Sequence, residues 1–270
     1  MSQTVNITSV PRFYEMTVMK RLSTTSFGHG PIKVIALHGW FGDETTFSPL
    51  FRALDPDQFH WVSPALRGYG ASRHLQGAYT MQEVAEDVLA LADDLGWERF
   101  NLIGHSMGGK AIQRVLANAP HRIAKLIGVT PVPASGVPFD DGMFGFFQQA
   151  WSNPEAALGI VTHSVGGRLP KRYIEEIATH PHRVASEASF LGYLNAWAKG
   201  DFSAELAGIS LPVKVIVGEH DGAITADFMR GTFLAHFPNG ELETMPNAGH
   251  YPMDETPLAL AASIIHFLAG

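Results

Sequence analysis

The tightest constraint on this chain lies near its middle. Arg99 to Ile103 (RFNLI) reads as a short strand and Lys110 to Asn118 as a helix stopped near Pro120, leaving Gly104-His105-Ser106-Met107-Gly108-Gly109 to turn the chain between them. So sharp a connection needs small residues where the two elements approach, and the glycines supply them. The serine is thereby placed on a strained hairpin from which its hydroxyl projects, and the helix N-terminus beyond it favours developing negative charge. The pattern G-x-S-x-G is weak alone and gains meaning from this order of strand, turn and helix.

The rest of the chain repeats the alternation. Ile32 to Leu37 (IKVIAL) is a buried strand entering a turn at His38-Gly39, and Glu44 to Leu54 fits a short helix. A second strand, His60 to Leu66, runs into Arg67-Gly68-Tyr69-Gly70. Thr80 followed by Glu83 forms a capping-box pattern, and Met81, Val84, Val88, Leu91, Ala92 and Leu95 share one helical face that ends at Gly96. Lys125 to Val129, Val213 to Val217 and Glu241 to Thr244 complete the strands, and Thr256-Pro257 caps a C-terminal helix. Strands alternating with helices predict the α/β class, with a mostly parallel central sheet flanked by helices.

Between Pro131 and Pro212 the rhythm breaks, because helical patterns run for about 80 residues, far beyond an ordinary connection. The expected organisation is a core over 1–130 and 212–270, interrupted by an inserted helical cap over 131–211. The insertion carries Phe139, Phe144, Phe146, Phe147, Trp151, Tyr173, Phe190, Tyr193 and Trp197, aromatic surface for roofing a pocket as well as for packing the cap itself.

Composition then narrows the chemistry. With 46% hydrophobic and 17% charged residues in 270, the chain is too apolar for disorder. A net charge of −7 without a Lys/Arg run lacks the electrostatic footprint of a nucleic-acid binder. The absence of cysteine excludes disulfides, thiolate nucleophiles and Cys-ligated zinc. No window approaches 18 consecutive apolar residues, so membrane insertion is not expected, and MSQTVNITSVPRF lacks the pattern of a secretory signal. The expectation is a cytoplasmic protein in which the sequon Asn6-Ile7-Thr8 is a chance match. His180-Pro181-His182 lacks the i, i+4 spacing of a helical metal pair, and neither G-x-G-x-x-G after the first strand nor a Walker A pattern occurs, so neither a metal nor a cofactor is expected. The residues carry no signal of oligomeric state.

A serine hydroxyl is a poor nucleophile at neutral pH and needs a base and a group to orient that base. Asp221 stands in Gly218-Glu219-His220-Asp221-Gly222 at the C-terminal end of a strand, where an open α/β sheet presents its functional loops, and His250 follows the last strand in Asn247-Ala248-Gly249-His250. The order Ser106, Asp221, His250 accommodates the insertion in its first gap. Rivals for the carboxylate are Glu219, Asp140 and Asp141. His105 and His220 read as hydrogen-bonding and packing residues.

These motifs, HGWFG at 38–42, RGYGAS at 67–72, GHSMGG at 104–109, GEHD at 218–221 and NAGHYP at 247–252, identify a chain that resembles the α/β-hydrolase superfamily in its branch of cap-bearing small esterases. The resemblance spans nearly the whole chain. It implies a catalytic triad of Ser106, Asp221 and His250, an oxyanion hole from the backbone N–H groups of Met107 and Trp40, and ester hydrolysis through an acyl-enzyme with no cofactor. The implied substrate is a small apolar or aromatic ester. A cofactor-free perhydrolase resembling the nonheme haloperoxidases, a carbon–carbon bond hydrolase, a lactonase, an amidase or a hydroxynitrile lyase can share this triad, and a ligand-binding receptor on the same fold is the alternative outside catalysis. Serine rather than aspartate at 106 argues against relatives that need a carboxylate nucleophile, the haloalkane dehalogenases and epoxide hydrolases. One departure is Ala65, where many relatives carry Asp.

Overall fold

The computed structural model describes residues 21–270, so the expectations for the first residues and the Asn6 sequon lie outside it. In chain order the strands and helices are β1 (Thr24–Gly28), β2 (Ile32–Leu37), β3 (Phe59–Pro64), α1 (Met81–Asp94), β4 (Phe100–His105), α2 (Met107–Asn118) and β5 (Ile123–Val129), then α3 (Asp141–Gln149), α4 (Pro154–Ser164), α5 (Lys171–Val184) and α6 (Glu187–Ala198), then β6 (Val213–Gly218), α7 (Ala226–Gly231), β7 (Glu241–Met245), α8 (Pro252–Glu255) and α9 (Pro257–Ala269). Among the described residues one seven-stranded sheet has the order β1-β3-β2-β4-β5-β6-β7. Every neighbouring pair is parallel except β1 with β3.

β4 and β6 are buried along their whole length, as strands covered on both faces must be. Their β-branched and leucine side chains contribute roughly 1.5–3 kcal/mol each when fully buried. β1 has no counterpart among the expected strands, since Thr24–Gly28 alternates exposed and half-buried positions and carries one large apolar residue. It is an edge strand held by antiparallel pairing from Thr24 opposite Pro64 to Gly28 opposite His60. The helix expected over 44–54 shrinks to a 3-10 turn at Ser48–Arg52. Asp43 draws the preceding segment into a turn by accepting from the N–H and hydroxyl of Thr45, and Pro49 has no N–H to donate.

Capping follows the expectation only in part. Thr80 accepts from the Glu83 N–H, while Glu83 turns back to the amides of Ala78 and Tyr79 rather than to Thr80. Thr256 precedes α9 without a side-chain cap to it, donating instead to the Pro252 carbonyl and the Met245 sulfur. Ala65, the departure noted above, is buried with its N–H on the Ser23 carbonyl, and Arg67 beside it pairs with Asp87 at 2.6 Å.

Helices α3 to α6 occupy the long interval between β5 and β6. Lys110 on α2 ties them to the sheet side: its buried Nζ donates to the carbonyls of Trp197, Lys199 and Gly200 at the end of α6, at 3.2, 2.9 and 2.8 Å. Burial pulls this ammonium down to about 8.

The glycines around Ser106 set the approach of β4, α2 and β2. A Cβ on Gly104 would stand 2.3 Å from the Gly108 carbonyl oxygen, and one on Gly108 would stand 2.3 Å from the Leu37 carbonyl oxygen. α2 can therefore begin at Met107, immediately after the serine and ahead of the expected start at Lys110.

Candidate active site

Ser106 sits between β4 and α2 with φ 52° and ψ −116°, a left-handed conformation uncommon for a residue with a side chain. Its carbonyl accepts from the N–H groups of Gly109 and Val132, at 2.8 and 2.9 Å, which fixes the strained turn from both sides. Its Oγ lies 2.9 Å from Nε2 of His250. The other nitrogen, Nδ1, stands 2.6 Å from Oδ2 of Asp221. A carboxylate accepts only, so Nδ1 carries the proton and Nε2 is free to accept from the serine hydroxyl. The second oxygen, Oδ1, accepts from the N–H groups of Ala223 and Ile224 at 2.8 and 2.9 Å. Both oxygens of Asp221 are thus engaged, and its side chain is sealed from solvent.

The rival carboxylates are engaged elsewhere. Glu219 accepts from the Asn247 N–H, and Asp140 caps α3 through the Met143 N–H. Asp141, the third, lies in the first turn of α3. His180 pairs with Asp43 at 3.0 Å and His182 packs on Trp151, and among the described residues no group of three or more His, Cys, Asp or Glu could hold a metal.

Met107 opens α2, so its N–H has no acceptor within the helix. Trp40 is held at three points: Tyr69 donates to its carbonyl at 3.0 Å, its indole N–H donates to the Phe190 carbonyl at 2.7 Å, and its ring stacks on Phe190 with centroids 4.0 Å apart. His38 braces the same loop. Its Nε2 accepts from the Leu66 N–H at 3.2 Å, which leaves Nδ1 to donate to the Gly39 carbonyl at 2.8 Å.

His105 donates from Nε2 to the His250 carbonyl at 2.8 Å, in keeping with the packing role expected of it. Thr130, which sequence reasoning missed, donates its hydroxyl to the same carbonyl at 3.0 Å. Its backbone has φ 42°, costly for a β-branched residue, and its N–H is anchored on the Ile216 carbonyl. The only hint in the sequence is its position just after a strand.

Burial pushes His38 and His105 below the ordinary imidazole value, His105 well below with the His250 ring adding to the effect. Burial therefore disfavours the charged form of both in the fold. Below pH ~6.5 the unfolded chain takes up protons that these two bind less readily, so their linkage makes stability fall as pH falls, with a slope of at most roughly 1.4 kcal/mol per pH unit for each. His105→Gln keeps a donor for the His250 carbonyl and is expected to flatten the slope between pH ~6.5 and ~5, by at most one such unit. Urea unfolding at several pH values measures this, and an unchanged slope would assign the acid sensitivity elsewhere.

Ser106 and His250 open onto a cavity of about 690 Å³. Phe139, Phe147, Ile160 and Trp197 from the insertion face Trp40, Phe41 and Ile224, and among the described residues no Lys, Arg, Asp or Glu side chain lines it. The insertion's aromatics are divided in use. Phe139, Phe146, Phe147 and Trp197 line the cavity, whereas Phe144, Phe190 and Tyr193 are buried and Tyr173 donates to Asp254.

The sequence pattern of the alpha/beta hydrolase family matches residues 34–263, and the chain belongs to that family. Among curated proteins it is similar to the pimeloyl-[acyl-carrier protein] methyl ester esterase of Pectobacterium carotovorum, 27% identical over 89% of this chain and 95% of that one. Among solved structures it is similar in fold to a bromoperoxidase from Bacillus anthracis, with TM-score 0.81 and 20% identity over 92% of this chain and 95% of that one. An esterase from Exiguobacterium antarcticum likewise gives 0.81 and 18% identity, covering 92% and 96%. Among the described residues no helix is long and apolar enough to cross a membrane.

Proposed function

We propose that this protein is a serine carboxylesterase acting on small, uncharged apolar or aromatic esters, with residues 131–211 serving as a cap over its pocket. The observation that carries the reading is the unbroken hydrogen-bonded series from Asp221 through His250 to Ser106 at an apolar cavity. His250 takes the Ser106 proton at Nε2 as Oγ attacks the ester carbonyl, and Asp221 stabilises the imidazolium that forms. The N–H groups of Met107 and Trp40 receive the oxyanion. His250 then returns the proton to the departing alcohol and activates the water that releases the acid.

The lining argues for the substrate class. A charged ester entering a cavity that no Lys, Arg, Asp or Glu lines among the described residues would lose hydration worth several kcal/mol and find no ion-pair partner of those types there. An apolar acyl or aryl group loses little and fills a space of the size that binding pockets for small molecules occupy.

Intact-mass analysis after exposure to a fluorophosphonate tests the nucleophile before the substrate is known. One adduct is expected on wild type and none on Ser106→Ala, and equal labelling of the two would place the nucleophile elsewhere. An ester panel graded by acyl length then defines specificity. Peracid formation from acetate and hydrogen peroxide outrunning ester hydrolysis would replace the esterase reading with perhydrolysis on the same residues.

A further inference from the structure

The backbone at His250 is bound on every side, by groups drawn from distant parts of the chain. Its own N–H donates to the carbonyl of Ser164, the last residue of α4, at 3.0 Å. Its carbonyl receives His105 and Thr130, as described. The two flanking amides, those of Gly249 and Tyr251, donate to the two oxygens of a single carboxylate, Glu255, at 2.8 and 3.0 Å. Glu255 is 1% exposed at its side chain and pairs at 2.7 Å with Arg168, in the loop between α4 and α5. The same guanidinium nitrogen donates to the carbonyl of Asn247.

Charge and geometry both give this arrangement a purpose. A carboxylate so deeply buried is costly unless it is paired and hydrogen-bonded, and here two amides and a guanidinium satisfy it. The segment from Asn247 to Tyr251 lies between β7 and α8 outside both, with Asn247 at φ 59°, so its course rests on bonds to its surroundings: these side-chain bonds, the Glu219 carboxylate on the Asn247 N–H and the His220 N–H on the Ala248 carbonyl. Contact with the insertion is at backbone level, since a Cβ on Gly249 would come within 2.8 Å of the Val165 Cα. A displacement of about 1 Å in a reacting group can cost ~10²-fold in rate, so holding this segment is holding the base.

Resting on the reading of His250 as the general base, we propose that Glu255 and Arg168 are positioning residues that clamp the His250 segment to the α4–α5 end of the insertion, keeping the imidazole aligned with Ser106 while the insertion is seated. Arg168→Met removes the outer half of the clamp, and Glu255→Gln sets an amide NH2 against a backbone N–H in its inner half. Arg168→Met is expected to lower kcat on a short ester and the fluorophosphonate labelling rate together, by about 10-fold, with KM within about two-fold. Arg168→Lys should restore part of the loss, and Glu255→Gln should cost up to ~10²-fold.

Should Glu255→Gln fail to fold, the two Arg168 variants carry the test. Folded Arg168→Met with wild-type kcat and labelling rate would overturn the clamp. So would a smaller labelled fraction whose labelled molecules react at the wild-type rate, because that is loss of fold rather than of alignment. Wild type that is not labelled, or His250→Ala labelled as fast as wild type, would instead overturn the reading of the triad and the clamp with it.

Discussion

Asp221→Asn is expected to lower kcat by about 10⁴-fold while leaving the protein folded. The size follows from which atoms an amide can replace. Oδ1 of Asp221 accepts two backbone N–H groups, from Ala223 and Ile224, so the carbonyl oxygen of the introduced amide must take that place and its NH2 must face His250. An NH2 can only donate, so Nδ1 becomes the acceptor and the proton moves to Nε2, the atom 2.9 Å from the Ser106 hydroxyl. A protonated Nε2 cannot take the serine proton. Volume and the two backbone bonds are kept, so the melting temperature should change little. Steady-state kinetics beside a thermal melt checks both halves, and a variant keeping more than a tenth of the wild-type kcat would remove Asp221 from its orienting role.

The second large effect concerns folding rather than chemistry. Gly104→Ala should destabilise by roughly 3–5 kcal/mol, lowering the melting temperature by about 10 °C or preventing soluble expression. The added methyl would meet the Gly108 carbonyl oxygen at 2.3 Å and the Gly109 nitrogen at 2.8 Å, and backbone in a helix joined so tightly to its strand cannot retreat as a flexible side chain could. Gly145→Ala is the matched control. A Cβ there meets nothing within 4 Å and the residue lies inside α3, so a gain of about 0.4–1 kcal/mol is expected. Urea unfolding of the pair measures the contrast, and similar midpoints would mean that the approach of α2 to β4 is not what requires glycine.

The residues of the candidate reacting centre are legible in the sequence because each stands at a punctuated strand end. Ser106, Asp221 and His250 all follow predicted strands and lie beside or near glycines, and the structure brings them together in one hydrogen-bonded series. What is not legible depends on partners far away in the chain. Glu255 reads as an ordinary acidic residue shortly ahead of a proline, and its ion pair spans 87 positions to Arg168. Thr130 looks like a turn residue until its hydroxyl is seen on the His250 carbonyl. β1 escapes notice because an edge strand can dispense with a strong apolar pattern, and TTSFG has little to display. The segment after Glu44 has helical periodicity in its apolar residues, yet Asp43 and Pro49 impose turn geometry that periodicity does not record.

The carbonyl of Ser164 and the guanidinium of Arg168 bear on how this scaffold can be re-engineered. Transplanting the whole of 131–211 from a relative would import a new pocket wall and at the same time reset the position of the Ser164 carbonyl and discard the Arg168 cation on which the His250 segment leans. A graft confined to α3 would exchange Phe146 and Phe147 while leaving both ties untouched. The border for swapping specificity in this protein therefore runs through the insertion, between α3 and α4, rather than around it.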